Sequence, residues 1–293
     1  MAYEFDFQQY VDRKTTPGGG KAERGGFGDY AFSGDLRVLR QIERLTPVRM
    51  VVEATIRLWK SFQRNELLGT SVKLSRRQFP QLFDLVVGCA ETLDIPVPTV
   101  YIAQSPDINA GTYGTNQESF ILLTSSIVDT MSDDELKFVI GHECGHIQNS
   151  HVVYHTAARF MSSGVGVYLK YASLPASVAL NSWSRRGEIT CDRAGMVCVK
   201  DADVAMSAML KLALGKSLSE SVDLDEYMNQ LKELKQGVGR FQELFASHPY
   251  LPKRVEAMRL FAQSSYFKAL RGEKGGRPLD EIDREVEAII QVL

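Results

Sequence analysis

The spacing of apolar and polar residues predicts a mainly helical chain with a few short strands. In most segments, apolar residues recur every three to four positions, which is the period of one buried helix face. Shorter runs rich in β-branched or aromatic residues predict strands, and one of these is an edge strand because glycines break it. Helices are predicted at residues 35–45, 78–93, 132–147, 184–200, 204–214, 225–244, 255–270 and 282–293, and strands at 99–102, 108–115 and 119–124.

The predicted helix at residues 132–147 has a marked start and a marked buried face. Ser132 is followed three residues later by Glu135, which is typical of a capping box, where each side chain binds the backbone N–H of the other residue. Apolar residues at helical spacing indicate a back face packed against the rest of the protein. They are Leu136, Val139, Ile140 and Ile147.

The other face of this helix has the pattern H-E-x-x-H. His142 and His146 are four residues apart, so their imidazoles lie one turn apart on the same face, where both can bind one zinc ion. Glu143 lies beside the metal position and is the candidate general base. The pattern predicts a catalytic site with one Zn²⁺ per chain.

A catalytic zinc ion usually has three protein ligands and one open position, so another element must supply the third ligand. Glu188 and Asp192 are four residues apart in a predicted helix and therefore share one face. Glu188 is the predicted third ligand. Asp192, one turn away, can accept a hydrogen bond from the second ring nitrogen of His142 and so fix the tautomer that binds metal.

Structural or surface roles are predicted for His151 and His155, and structural roles for the cysteines. If the motif helix continued, His151 and His155 would point away from His142 and could not share its metal. The cysteines lack C-x-x-C spacing and lie in apolar or helical stretches, so buried thiols are predicted rather than disulfides or metal ligands. They are Cys89, Cys144, Cys191 and Cys198.

These motifs, in this order, resemble the gluzincin metallopeptidases that include the heat-shock membrane protease HtpX and the CAAX prenyl protease. The resemblance implies an α+β, predominantly helical fold of the zincin type, with a small β-sheet whose edge strand binds substrate and an H-E-x-x-H active-site helix. The matching pieces are Asn109-Ala110, Ser132 to Glu135, His142-Glu143-Cys144-Gly145-His146, Glu188 to Ala194, and His248-Pro249 with Arg254.

The resemblance also implies that the protein is a zinc-dependent endopeptidase that hydrolyses peptides or unfolded proteins. In that family, the residues matching His142, His146 and Glu188 bind zinc, and the residue matching Glu143 is the general base. The alternative is a catalytically inactive or latent zinc-bound relative that acts as a protein-binding module.

The substrate strand and His248 receive their roles only from the resemblance. The segment Asn109, Ala110 and Gly111 is implied to be the edge strand along which an extended peptide lies. His248 is implied to lie near the scissile carbonyl oxygen, and the alternative is a histidine that caps or braces the following helix. Arg254 is expected to pair with a buried carboxylate.

Charge and hydropathy limit the partners. The formal net charge is −2, from 34 basic and 36 acidic residues, so no strong field favours nucleic acid. The N-terminal residues lack a basic region followed by an apolar region, so a cytoplasmic protein is predicted.

Family members place transmembrane helices between the second histidine and the glutamate. Here the two uncharged runs within residues 160–184 are each too short to span a membrane, so a helical hairpin is predicted, with peripheral membrane contact as the alternative.

Three segments are predicted along the 293-residue chain. Residues 1–34 are rich in glycine and predict a flexible arm, which could cover the catalytic cleft or pack on the outside of the domain. Residues 35–272 form the metallopeptidase domain. Residues 273–293 form a linker and an amphipathic helix that packs on the domain or on a partner. The oligomeric state is left open.

Overall fold

The computed structural model describes residues 28–46, 48–50, 52–54, 56, 69–115, 118–162, 174–234 and 249–291. These residues form an α+β fold that is mostly helical and contains one four-stranded sheet. The elements in chain order are α1 (Ser33–Ile42), β1 (Ser71–Lys73), α2 (Pro80–Thr92), β2 (Thr99–Ala103), β3 (Ala110–Gly114), β4 (Ser119–Thr124), α3 (Ser125–Thr130), α4 (Asp133–Gln148), α5 (Val152–Ser162), α6 (Leu174–Val199), α7 (Ala202–Leu214), α8 (Lys216–Ser219), α9 (Leu224–Leu234), α10 (Leu251–Ala262), α11 (Ser265–Leu270) and α12 (Leu279–Ile290).

The sheet has the strand order β1-β2-β4-β3. Strand β2 is parallel to β4, whereas β1 and β3 are antiparallel to their neighbours. Side chains of β4 alternate between the two faces, with Ile121 and Leu123 fully buried in the core. Strand β3 lies at one edge of the sheet, which confirms the edge strand predicted from its glycines.

The predicted capping box begins α4. The backbone N–H of Glu135 donates to the Ser132 hydroxyl over 3.4 Å, and the backbone N–H of Ser132 donates to the Glu135 carboxylate over 2.8 Å. Lys211 on α7 donates to the same carboxylate over 2.8 Å. The start of α4 is therefore fixed both locally and from a neighbouring helix.

Helices α4 and α6 pack closely because small residues line their contact. A Cβ atom at Gly145 would lie 2.7 Å from the Cβ of Ala194, and one at Gly195 would lie 2.6 Å from the Phe138 ring. Side chains larger than hydrogen would push the helices apart at these points. This contact brings the faces that carry the candidate ligands together.

Two smaller apolar clusters extend the main core, which lies between the sheet and α4. One packs α1 against α5 and α6 through Leu39, Val153 and Trp183. The other packs α12 on the domain through Phe32, Ile189 and Val286. The C-terminal helix therefore packs on the domain, which is one of the two placements predicted for it.

Three predicted boundaries were wrong. Helix α6, predicted to begin at residue 184, begins at Leu174. The single helix predicted at 255–270 is two helices, because the Ser264 hydroxyl accepts the backbone N–H of Phe267 over 3.0 Å and starts α11 as a new helix. The predicted flexible arm extends too far, because residues 28–34 are folded. Within them, Tyr30 and Phe32 are buried, since their aromatic rings fill space in the cores.

Several predictions fall partly or wholly outside the described residues. Residues 1–27 cover most of the predicted arm, 163–173 cover the middle of the predicted hairpin, and 235–248 include His248. Among the helices that the structure describes, none combines the length and hydropathy needed to cross a membrane.

Candidate metal centre

The candidate ligands meet where α4 faces α6. Oε2 of Glu188 lies 3.7 Å from Nε2 of His142, and Oε1 lies 3.7 Å from Nε2 of His146. All three side chains are buried. The structure thus brings together the two histidines of the motif and the carboxylate that was predicted to join them.

The donor set fits a zinc ion. Two ligand atoms at about 2.0–2.1 Å from a tetrahedral zinc ion are about 3.3 Å apart. Each oxygen of Glu188 lies 3.7 Å from one histidine nitrogen, Oε2 from Nε2 of His142 and Oε1 from Nε2 of His146. Imidazole nitrogens and a carboxylate oxygen are zinc donors. The thiol of Cys191 also lies near, since its sulfur and ring nitrogens of His142 and His146 are all within 4.8 Å of one another.

His142 is held from behind by Asp192. The distance from His142 Nδ1 to Asp192 Oδ1 is 3.0 Å, which leaves Nε2 to face Glu188. Arg254 donates to the same carboxylate through two nitrogens, over 2.8 and 2.6 Å, and its Nη1 lies 3.1 Å from Glu188 Oε2. Arg254 thus pairs with buried carboxylates, as the sequence predicted, and it contacts two of them.

These contacts set the charges of the site. Burial disfavours a charged ring, but the hydrogen bond with Asp192 and the charge of Glu188 outweigh it and raise the pKa of His142. Burial also disfavours the Asp192 carboxylate, but Arg254 outweighs it and lowers the pKa of that carboxyl. Burial, reinforced by His155 and His142, holds the pKa of His146 well below its usual value. A neutral His146 has the lone pair that a metal ligand needs.

His155 lies beside the candidate ligands Glu188 and His146, and the prediction that it points away from the metal position was wrong. Helix α4 ends at Gln148, Ser150 has a positive φ of 59°, and the chain turns before α5 begins. His155 Nε2 is therefore 3.3 Å from Glu188 Oε1, and its ring centroid is 4.1 Å from that of His146. The prediction assumed a continuous helix. Asn149 and Ser150 are weak helix formers, and they were the available signal for a break.

Thr112 on β3 contacts the candidate general base. Its hydroxyl donates to Glu143 Oε2 over 2.6 Å and lies 3.1 Å from the backbone oxygen of the same residue. Both side chains are buried. The contact fixes the carboxylate of Glu143 and ties the edge strand to the motif helix. The role of Thr112 was not predicted, because no local sequence pattern indicates which strand residue meets α4.

A cleft joins the edge strand to these residues. Asn109 and Ala110 line it, whereas Gly111 pairs with Leu122 in the sheet and its position does not line the cleft. The cleft therefore has the edge strand on one side and the candidate ligands on the other. Its lining consists of Asn109, Ala110, Thr112, Phe138, Val139, His142, Glu143, His146, His155, Glu188, Met209, Leu212 and Arg254.

Comparison with known proteins identifies the family. The model of peptidase family M48 matches residues 76–261, which is more than half of the chain. The chain belongs to peptidase family M48. The resemblance to HtpX-type metallopeptidases is thereby confirmed, and membership in M48 supports a metal-binding protease. No solved structure matches the chain.

Two relatives show how far the similarity to M48 proteins extends. The plastoglobule-localized metallopeptidase 48, chloroplastic, of Arabidopsis thaliana is 30% identical over 218 residues, which are 70% of this chain and 63% of that protein. The chain thus covers less than two thirds of the Arabidopsis protein. A protease HtpX homolog of Streptococcus pyogenes is 24% identical over 250 residues, which are 71% of this chain and 83% of that protein.

Proposed function

We propose that this M48 protein is a zinc-dependent endopeptidase. One observation carries the proposal: the Glu188 carboxylate lies 3.7 Å from Nε2 of both His142 and His146, beside Glu143 and at one side of a cleft. His142, His146 and Glu188 would hold the ion. When bound, zinc would acidify a water molecule and polarise the carbonyl group of the substrate.

In this proposal, Glu143 is the general base. Its carboxylate takes a proton from the attacking water and passes it to the leaving amine. The hydroxyl of Thr112, 2.6 Å from Oε2, holds that carboxylate in place. Asp192 keeps the proton of His142 on Nδ1, so that Nε2 stays available as a ligand.

The proposed substrate is a peptide or unfolded protein that lies extended along β3. An edge strand offers backbone N–H and C=O groups to such a chain, so binding depends on the peptide backbone and side-chain pockets add specificity. We propose that this contact lies along Asn109, Ala110 and Gly111. Farther along, Thr156 on α5 bonds the backbone of Gly114 over 3.2 Å and covers the strand. The peptide is therefore proposed to bind at the start of β3, away from the end that Thr156 covers.

The role of His248 and the location of the protein stay predictions. His248 is proposed to stabilise the oxyanion of the scissile carbonyl, with capping of the next helix as the alternative.

The proposed location is the cytoplasm, and cell fractionation with an antibody against the chain tests it directly.

Substitution of Glu143 tests the proposed function. Glu143→Ala should retain one zinc ion per chain and lose about 10²- to 10⁴-fold in casein cleavage, the usual contribution of a general base. Asp134→Asn is the matched control, because it removes an exposed carboxylate from the same helix. Zinc content is measured by atomic emission and cleavage by release of labelled casein fragments. Full activity of Glu143→Ala would refute the proposed mechanism. A wild-type chain that binds zinc but cleaves neither casein nor peptides would favour the protein-binding alternative.

A further inference from the structure

Helix α1 precedes the segment matched by the M48 model, yet it places a carboxylate beneath the metal centre. Asp35 is fully buried there. Trp183 Nε1 donates to its Oδ1 over 2.9 Å, and the Thr190 hydroxyl donates to its Oδ2 over 2.6 Å. His151 Nε2 lies 3.0 Å from the same Oδ2. Asp35 is thus surrounded by groups that can donate a hydrogen bond.

The carboxylate of Asp35 indicates which ring nitrogens of His151 and His146 carry a hydrogen. A carboxylate oxygen accepts, so the proximity of His151 Nε2 to Asp35 Oδ2, 3.0 Å, favours the tautomer of His151 with its hydrogen on Nε2. A neutral imidazole protonated on Nε2 has its lone pair on Nδ1. That Nδ1 lies 3.3 Å from Nδ1 of His146. His146 must therefore donate from Nδ1, which leaves its lone pair on Nε2, the atom that faces Glu188.

The surroundings of His151 agree with this assignment. The sulfur of Cys191 lies 3.6 Å from His151 Nδ1, and a thiol is a weak donor. Two potential donors, from His146 and Cys191, thus approach the nitrogen that has the lone pair. His151 is fully buried, so bulk solvent does not compete for these contacts.

We propose that Asp35 and His151 are positioning residues for the metal centre and fix the tautomer of His146, as Asp192 does for His142. The inference rests on the proposed zinc site. Each ligand histidine is then oriented by a carboxylate. Asp192 contacts His142 directly, and Asp35 acts on His146 through the ring of His151. Helix α1 is accordingly part of the working metal centre, although it lies outside the matched segment.

Zinc affinity of the full chain tests this inference. Dissociation constants are measured by competition with a chromophoric chelator. His151→Leu and Asp35→Asn should bind zinc about 10- to 100-fold more weakly, the usual effect of losing a partner behind a ligand histidine. His151→Asn places an acceptor oxygen near the former Nδ1 position and should stay within about threefold of wild type. Ile42→Val is the control, because it removes one buried methyl group from the same helix.

A spectrum separates positioning from a purely structural role. The d–d absorption of the cobalt-loaded protein should change in Asp35→Asn, because the donor strength of His146 changes, and should be unaltered in Ile42→Val. Asp35→Asn with wild-type affinity and spectrum would overturn the inference, as would an equal loss of affinity in Ile42→Val. If His151→Leu does not fold, the comparison of Asp35→Asn with Ile42→Val decides. Failure of wild type to bind zinc would instead refute the proposed function itself.

Discussion

The sharpest test of the support behind His142 is the substitution Asp192→Asn. The carboxylate of Asp192 accepts from His142 over 3.0 Å and from two nitrogens of Arg254 over 2.8 and 2.6 Å. An asparagine has one acceptor oxygen and directs an N–H group at a donor on the other side. At least one of the hydrogen bonds with His142 and Arg254 is therefore lost, and the amide N–H of the asparagine faces the donor of that residue in a buried site.

The size of the effect follows from these contacts. Loss of the partner behind a ligand histidine should weaken zinc binding about 10- to 100-fold, or about 1.4–2.8 kcal/mol. Removal of one member of a buried ion pair typically lowers the free energy of unfolding by about 3–5 kcal/mol. Arg254 keeps its contact with Glu188 at 3.1 Å, so we expect the lower end, about 3 kcal/mol, in the absence of metal.

Two assays and one control separate these effects. Chelator competition gives the zinc affinity, and urea unfolding with EDTA present gives the stability without metal. Asp283→Asn is the matched control, because Asp283 Oδ1 lies 2.8 Å from Nη2 of buried Arg193 and neither residue lines the cleft. The control should lose stability and keep its zinc affinity. Unchanged zinc affinity in Asp192→Asn, or an equal loss in both variants, would refute the reasoning.

Three further predictions concern the start of α4, the general base and the N-terminal residues. Glu135→Gln should lower the free energy of unfolding by about 1 kcal/mol at pH 7, because the capping box and the contact with Lys211 weaken. Burial opposes the charge of Glu135, but the hydrogen bonds from Lys211 and Ser207 outweigh it and lower its pKa. This stabilisation is present above the ordinary carboxyl pKa and is lost as the pH falls through the lowered value, so urea unfolding should show wild type and variant converging in acid. Thr112→Val should retain zinc and reduce kcat for peptide cleavage about tenfold, while Thr112→Ser should retain most activity; equal rates for both variants would contradict its role. A chain that starts at residue 28 should cleave casein faster than the full chain if the arm covers the cleft, and equal rates would exclude that latency.

Features that lie within one element could be predicted from the sequence. The capping box, the shared face of His142 and His146, and the shared face of Glu188 and Asp192 all follow from the 3.6-residue turn of a helix. The edge position of β3 followed from its glycines, which weaken a central strand. These predictions needed no knowledge of how distant elements pack.

The missed contacts depend on tertiary packing. His155 reaches Glu188 because the chain turns at Ser150, and the helical period gives no information beyond such a break. Thr112 meets Glu143 only after the edge strand packs on α4, and Asp35 meets His151 only after α1 packs on α5 and α6. Such contacts join residues far apart in sequence, so no spacing rule could indicate them.

Anomalous diffraction at the zinc absorption edge, from crystals of the zinc-loaded chain, tests the central claim most directly. We expect one peak per chain, at about 2.0–2.2 Å from Nε2 of His142, Nε2 of His146 and an oxygen of Glu188. A peak bound by the sulfur of Cys191 in place of Glu188, or no peak between α4 and α6, would contradict it.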